Sequence, residues 1–278
     1  MPSVSIVIPA FRNARFIDET VDSALAQTYE DLEVVIADHS SDDGTWELLQ
    51  RYADHPRVRL LRTPAGGGAP ANWNAVTHAA TGTYLKLLCG DDLIAPTCVE
   101  KQVAALQAHP TAVAAAARRD LIDPAGDVLL AGRGIDPLSG LVPGPEAIRA
   151  LVRAGTNLLG EPGCVLIRRE VLERVGGWLA PYPYLIDQFT YMSVLEHGDL
   201  VALPETLASF RVSDTQWSVR LASEQSRQAA GTHRHFRERL PETVTRGDVA
   251  LGNARARMTA LMRRAAYVVW RKRMKASA

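Results

Sequence analysis

The chain offers little sulfur chemistry. Its 278 residues include three cysteines, Cys89, Cys98 and Cys164. An odd number without metal-ligand spacing argues against a disulfide scaffold and points to a reducing, cytosolic setting. No apolar run approaches the roughly 20 residues of a membrane span, and the best stretch, residues 265–270, is short and flanked by arginines. The opening residues lack a basic region leading into a long apolar core, so no secretory leader is read there. Neither charge is in excess: 31 Lys and Arg balance 31 Asp and Glu, which excludes a generic polyanion binder. Internal repeats and low-complexity tracts are absent.

Two common nucleotide fingerprints are also missing. The first apolar run leads into Pro9-Ala10-Phe11 rather than Gly-x-Gly-x-x-Gly, which removes a nicotinamide dinucleotide site. The turn Gly66-Gly67-Gly68 suggests a phosphate cradle, but no Gly-Lys-Ser or Gly-Lys-Thr follows, so a P-loop is excluded.

What remains is an ordinary soluble composition, 47% apolar and 22% charged, in a chain long enough for one large domain with a small appendage. Its first half alternates short apolar runs with helically spaced segments. Strands are predicted over 4–8, 34–37, 58–61 and 84–88, and helices over 13–27, 44–52 and 73–80. That alternation predicts an α/β protein with a mostly parallel central sheet flanked by helices. Further on, 112–117 is a candidate strand with a hairpin turn at 120–127, and the Gly- and Pro-rich stretch 136–145 reads as a loop. A helix over 146–154, a strand over 164–167 and a helix over 169–175 follow. From residue 224 the pattern is helical and increasingly basic.

The most informative stretch is Leu85-Lys86-Leu87-Leu88-Cys89-Gly90-Asp91-Asp92, an apolar strand running into two adjacent carboxylates. The carboxyl ends of strands are where open α/β sheets bind ligands. Paired acids there suit Mg2+ or Mn2+ bridging a diphosphate, and equally suit the cap of a helix starting near Pro96. Asp38 ends the second strand. It is read either as an acceptor for a ribose or base edge or as part of a plain turn through Ser41 and Asp42. Asp187 lies among Tyr184, Leu185, Ile186 and Phe189, a setting that raises a carboxyl pKa and suits a general base, and that equally suits a helix cap.

In order along the chain, these positions resemble the family 2 glycosyltransferases with the GT-A fold. The resemblance rests on Val4-Ser5-Ile6-Val7-Ile8-Pro9-Ala10-Phe11, Gln27-Thr28-Tyr29, Glu33-Val34-Val35-Ile36-Ala37-Asp38, Ser41-Asp42-Asp43-Gly44-Thr45 and Asn74. It continues through Ala80-Thr81-Gly82-Thr83-Tyr84-Leu85, Gly90-Asp91-Asp92, Gly160-Glu161-Pro162, Val175-Gly176-Gly177-Trp178 and Asp187, so that it covers roughly residues 3–220. It implies a GT-A transferase domain over 1–220 and a helical, basic extension over 221–278. The implied reaction is inverting and metal-dependent, moving a single sugar from a nucleotide-diphosphate sugar to an acceptor hydroxyl in surface polysaccharide or glycoconjugate synthesis.

By the same resemblance, Pro9, Ala10 and Phe11 line the base and ribose, and Asp38 accepts from the base. Asn74 and Lys86 are assigned to the donor, with an exposed strand lysine left open as the other reading of Lys86. Asp91 contacts the ribose or sugar, Asp92 ligates the divalent metal (Mn2+ or Mg2+), and Asp187 is the base. Glu161 is the second choice for the base or a contact to acceptor hydroxyls. Trp178 and Tyr182 stack on a sugar or pack in the core. Arg211 and Arg220 close over the diphosphate or form surface ion pairs.

Three departures stand out: Asp38-His39 where the family commonly has two acids, Trp73-Asn74 where it has Arg-Asn, and no Gln-x-x-Arg-Trp signature of processive synthases. The last favours single addition. Glycosylation of a small-molecule natural product, and a degenerate nucleotide-sugar-binding module, remain alternative readings.

From Arg255 to Lys275 the chain holds Arg255, Arg257, Arg263, Arg264, Arg271, Lys272, Arg273 and Lys275, and no acid. Met258, Leu261, Met262, Ala265, Val268 and Val269 recur between them at helical spacing. Such a helix suits an anionic membrane surface, which would place the protein at the inner face of the membrane with a lipid-linked saccharide acceptor. It equally suits packing on the domain or on a second copy as a homodimer. No recognition motif accompanies the charge, so nucleic acid is not expected as a partner.

Overall fold

The computed structural model describes residues 4–213 and 224–274. Its N-terminal half follows the predicted alternation. Strand β1 (Val4–Ala10) is buried along its whole length, because β2 (Leu32–Asp38) and β4 (Tyr84–Leu87) pair with it in parallel on either side. Strand β3 (Val58–Arg62) extends the set beyond β2. Helices α1 (Ile17–Leu25), α2 (Thr45–Leu49) and α3 (Gly68–His78) connect these strands. Strands covered on both faces read as continuous apolar runs, as Val34-Val35-Ile36-Ala37 does here.

The C-terminal half joins the same sheet in mixed orientation. The order is β3-β2-β1-β4-β9-β6-β10-β5, where β5 is Leu93–Ile94, β6 Ala112–Ile122, β9 Val165–Arg168 and β10 Asp199–Arg211. Strand β9 is antiparallel to both β4 and β6, while β10 runs parallel to β6. The turn at 120–127 is a hairpin to β7 (Val128–Arg133). The stretch 136–145, expected as a loop, contributes β8 (Gly140–Val142), which pairs antiparallel with β10. Helices α4 (Cys98–Ala108), α5 (Gly144–Ala154), α6 (Arg169–Arg174) and α7 (Ile186–Leu195) cover this half.

Two helices follow the segment 214–223, which holds Arg220 and the expected boundary between domain and extension and lies outside the described residues. Helix α8 spans Gln225–Arg239 and α9 spans Arg246–Met274. Thr245 and Asp248 form a reciprocal cap at the start of α9: the Asp248 carboxylate accepts from the Thr245 N–H, and the Thr245 hydroxyl accepts from the Asp248 N–H. Asp248 is also ion-paired with Arg149 and Arg153 of α5. A Cβ on Gly252 would collide with the Val152 carbonyl, so glycine is what lets α9 cross α5 closely. Phe236 of α8 and Val244 are fully buried in the main core, so the extension is continuous with it.

Candidate active site

The carboxyl ends of β1, β2 and β4 open onto a cavity of about 1490 Å3. Small-molecule sites usually measure about 300–1,000 Å3, so this one has room for two substrates. Part of its wall comes from Pro9, Phe11, His39, Gly66 and Trp73, and part from Asp91, Arg119, Asn157, Glu161 and Asp187. Helix α9 supplies Arg263, Tyr267 and Trp270 to the same wall.

At the β1–β2 edge, Ala10 pairs with Asp38 in register. Asp38 is fully buried; its Oδ2 accepts from the Ser41 N–H at 3.2 Å and lies 3.6 Å from Arg62 Nε. Its Oδ1 is buried with no hydrogen-bond partner. A buried, unpartnered carboxylate oxygen is costly unless a donor reaches it; Asp38 itself lies behind the cavity wall, which its neighbour His39 lines. Phe11 is 51% exposed and sits edge-on to His39. His39 bridges the Thr63 hydroxyl at 2.8 Å and the Gly66 carbonyl at 2.9 Å, so it ties the glycine-rich turn to the strand ends. Pro9 lines the cavity, whereas Ala10 lies beneath it, its carbonyl accepting from Asn72 and His39.

The two acids after β4 face different surroundings. Asp91 lies on the cavity wall. Asp92, expected as the direct metal ligand, is 2% exposed and accepts the Arg211 N–H at 2.9 Å. Burial, then the adjacent Asp91 charge, holds its carboxyl well above the usual range. Neither acid caps a helix, because α4 starts only at Cys98. Gly90 precedes them because a Cβ there would meet Asn13 Oδ1 at 2.6 Å, and that oxygen also accepts the Phe11 N–H. The Cys89 thiol is pushed well up by burial and then by Asp92, Asp91, Asp187 and Glu161, a sign of how closely the carboxylates gather.

Arg211 corrects both sequence readings. It is neither a surface residue nor a diphosphate clamp: it is fully buried, its Nε donates to the Asp91 carbonyl at 2.9 Å, and its NH2 donates to Glu19 at 2.7 Å. Lys86 is likewise neither exposed nor cavity-facing. Its ammonium is buried and donates to the carbonyls of Gly163 (2.8 Å) and Val165 (3.3 Å), tying β4 to the segment after Glu161. Asn74 does not reach the cavity either. Its amide donates to the Pro70 and Trp178 carbonyls and accepts the Trp178 N–H, which locks the Gly-Gly-Trp turn onto α3. Trp178 is 3% exposed in the core, its indole donating to Thr77. Tyr182, partly buried, packs edge-on to Phe189.

Asp187 occupies the first turn of α7. Burial, reinforced by the charge of Glu161, pushes its carboxyl up to about 7, against the lowering effects of the Gln188 amide and the Asn157 side chain. Asn157 Nδ2 donates to Asp187 Oδ2 at 2.9 Å and to the Gly160 carbonyl at 2.7 Å. Glu161 is ion-paired with Arg119, itself 8% exposed. That pairing occupies the Glu161 carboxylate, while Asp187 accepts from the neutral Asn157 amide. Asn157 and Arg119 were not singled out in the sequence, where nothing ties them to an acid 30 or more positions away.

Among the described residues, no group of three His, Cys, Asp or Glu side chains is placed to hold a metal. The donor set nonetheless fits a Mg2+ or Mn2+ ion. Such ions bind through one or two carboxylates completed by substrate phosphate oxygens, and Asp91 is a hard oxygen donor on the cavity wall.

Comparison with known proteins finds likeness in sequence and in fold. The sequence profile described as glycosyl transferase family 2 matches residues 5–176. A chondroitin synthase of Pasteurella multocida (strain Pm70) is 46% identical over 101 residues, 36% of this chain and 10% of that one. The Escherichia coli UDP-Glc:alpha-D-GlcNAc-diphosphoundecaprenol beta-1,3-glucosyltransferase WfaP is 35% identical over 103 residues, 37% of this chain and 41% of its own. The chain thus spans well under two thirds of these relatives. Among solved structures, the mannosyltransferase PcManGT from Pyrobaculum calidifontis, in complex with GDP-Man and Mn2+, superposes with a TM-score of 0.64. It covers 96% of this chain and 75% of its own at 20% identity, a likeness of fold.

Proposed function

The chain belongs to glycosyl transferase family 2, and from that membership we propose an inverting, metal-assisted transferase that moves one sugar from a nucleotide-diphosphate sugar to an acceptor hydroxyl. The named relatives work in polysaccharide and lipid-linked saccharide synthesis, which supports a saccharide or lipid-linked saccharide acceptor. The observation that carries the reading is Asp187. It is a partly buried carboxyl raised to about 7, and it lines the same cavity as Asp91.

Nucleotide recognition falls to Phe11, which offers an exposed ring. Asp91 would hold a divalent cation against the diphosphate; when bound, that cation neutralises charge building on the leaving group. Asp187 in its charged form takes the proton from the acceptor hydroxyl. The freed oxygen attacks the anomeric carbon on the face opposite the diphosphate, which inverts the configuration. Arg119 keeps Glu161 in place beside the base.

Donor turnover on a panel of acceptors, read alongside donor binding, tests this. Asp187→Asn should lower kcat by about 10²–10⁴-fold while leaving donor affinity intact. A variant that turns over at the wild-type rate would remove Asp187 from the chemistry.

A further inference from the structure

Helix α9 has two unlike faces. At about 100° per residue, Ala256, Ala260, Arg263, Tyr267 and Trp270 fall on one side. Ala256 and Ala260 are buried, and Arg263 donates to the Tyr184 hydroxyl at 2.5 Å and to Thr156 at 3.0 Å. This side completes the cavity wall. The opposite side holds Met258 (55% exposed), Leu261 (65%), Val268 (74%) and Val269 (77%), with Met262 at the boundary, exposed and also lining the cavity. Arg257 and Arg264 border this stripe along one edge and Arg255 along the other, all three exposed. No acid occurs from Arg255 to Lys275.

We infer that the outward face of α9 docks on an anionic lipid surface, lying in its plane with Met258, Leu261, Val268 and Val269 inserted and the bordering arginines at the phosphate level. Charge complementarity selects this occupant. A second copy would set one acid-free basic helix against another, and like charges oppose that pairing. A nucleic acid would meet the arginines but would leave the apolar stripe against its phosphates. An anionic bilayer satisfies both features, since apolar side chains enter the acyl boundary while long basic ones reach the headgroups. No described helix is long and apolar enough to cross a membrane, which agrees with docking in the plane. Docked this way, the helix presents its other face to the cavity, so that an acceptor carried on a lipid diphosphate meets the site from the membrane side. The docking itself does not depend on the transferase reading.

The test is sedimentation of the full chain with vesicles of phosphatidylglycerol and phosphatidylcholine, compared with phosphatidylcholine alone, at low salt and near 1 M salt. The inference predicts binding to the anionic vesicles only, weakened by salt. It predicts that Leu261→Asp with Val268→Asp reduces binding about tenfold or more, with helicity and melting midpoint unchanged. Met258→Asp is an independent variant should the pair lose helicity. Loss of fold in both would contradict their exposed placement and the inference with it. Three other results would overturn it: no sedimentation, sedimentation unchanged in the variants, or retention on an oligonucleotide or a self-associated dimer in place of vesicles. Nucleotide binding is not part of the readout, so a failed donor assignment and a failed docking are separable.

Discussion

Asn157 donates a 2.9 Å hydrogen bond to the carboxylate of Asp187 from the turn between α5 and β9, and its second amide proton holds the Gly160 carbonyl. A partly buried acid with a raised pKa is thereby fixed in one orientation by a neutral donor. The donor pulls the pKa down, against burial, which pushes it up.

As the proposed base, Asp187 would act only when charged, so kcat/KM should climb with pH through about 7 and level off above it. Asn157→Ala removes a lowering contact, and the midpoint should move to higher pH with donor affinity unchanged. A pH–rate profile of both proteins checks this. A midpoint near the ordinary carboxylate range of about 4, or no displacement in the variant, would contradict the assignment.

Asp91 and Asp92 should behave differently despite adjacency. Asp91→Asn should abolish the metal-dependent part of nucleotide binding. Asp92→Asn keeps an acceptor for the Arg211 N–H and replaces an acid already biased toward its neutral form, so metal-dependent binding should persist with a stability change within about 1 kcal/mol. Calorimetric titration of each variant with and without Mn2+ separates the two roles, and equal loss in both would refute the division.

Lys86→Met should destabilise the fold by about 1–3 kcal/mol, because the Gly163 and Val165 carbonyls lose their buried donor. Nucleotide affinity should stay near the wild-type value, since the ammonium does not face the cavity. Denaturant unfolding and nucleotide titration together test this. A large loss of affinity at unchanged stability would return Lys86 to the donor site.

The parallel half of the sheet was legible because each strand is a short apolar run closed by a turn residue, and because the helices between them keep their spacing. Strand β10 was not read. Its sequence Asp199–Arg211 contains Pro204-Glu205, and its pairing with β6 slips between Leu203 and Thr206, so no clean alternation survives. The paired acids at 91–92 were visible, but which one faces the cavity depends on Arg211, about 120 positions away. Lys86 held a usable clue. A lysine between Leu85 and Leu87 in a strand flanked on both sides is buried more readily than exposed, and then needs acceptors of its own. Asn157 and Arg119 carried no motif, and their meaning comes from the turn and strand that bring them to Asp187 and Glu161.

The central claim, that the cavity binds a nucleotide diphosphate through a cation held at Asp91, is tested most directly by calorimetric titration. UDP, GDP, dTDP and CMP would each be titrated with and without Mn2+ into wild type and Asp91→Asn. The account predicts that one of the diphosphates binds wild type in the presence of Mn2+, and that the binding weakens by about tenfold or more, roughly 1.4 kcal/mol, when either the metal or the Asp91 carboxylate is removed. Binding that ignores both the metal and the substitution, or no nucleotide binding at all, would contradict it.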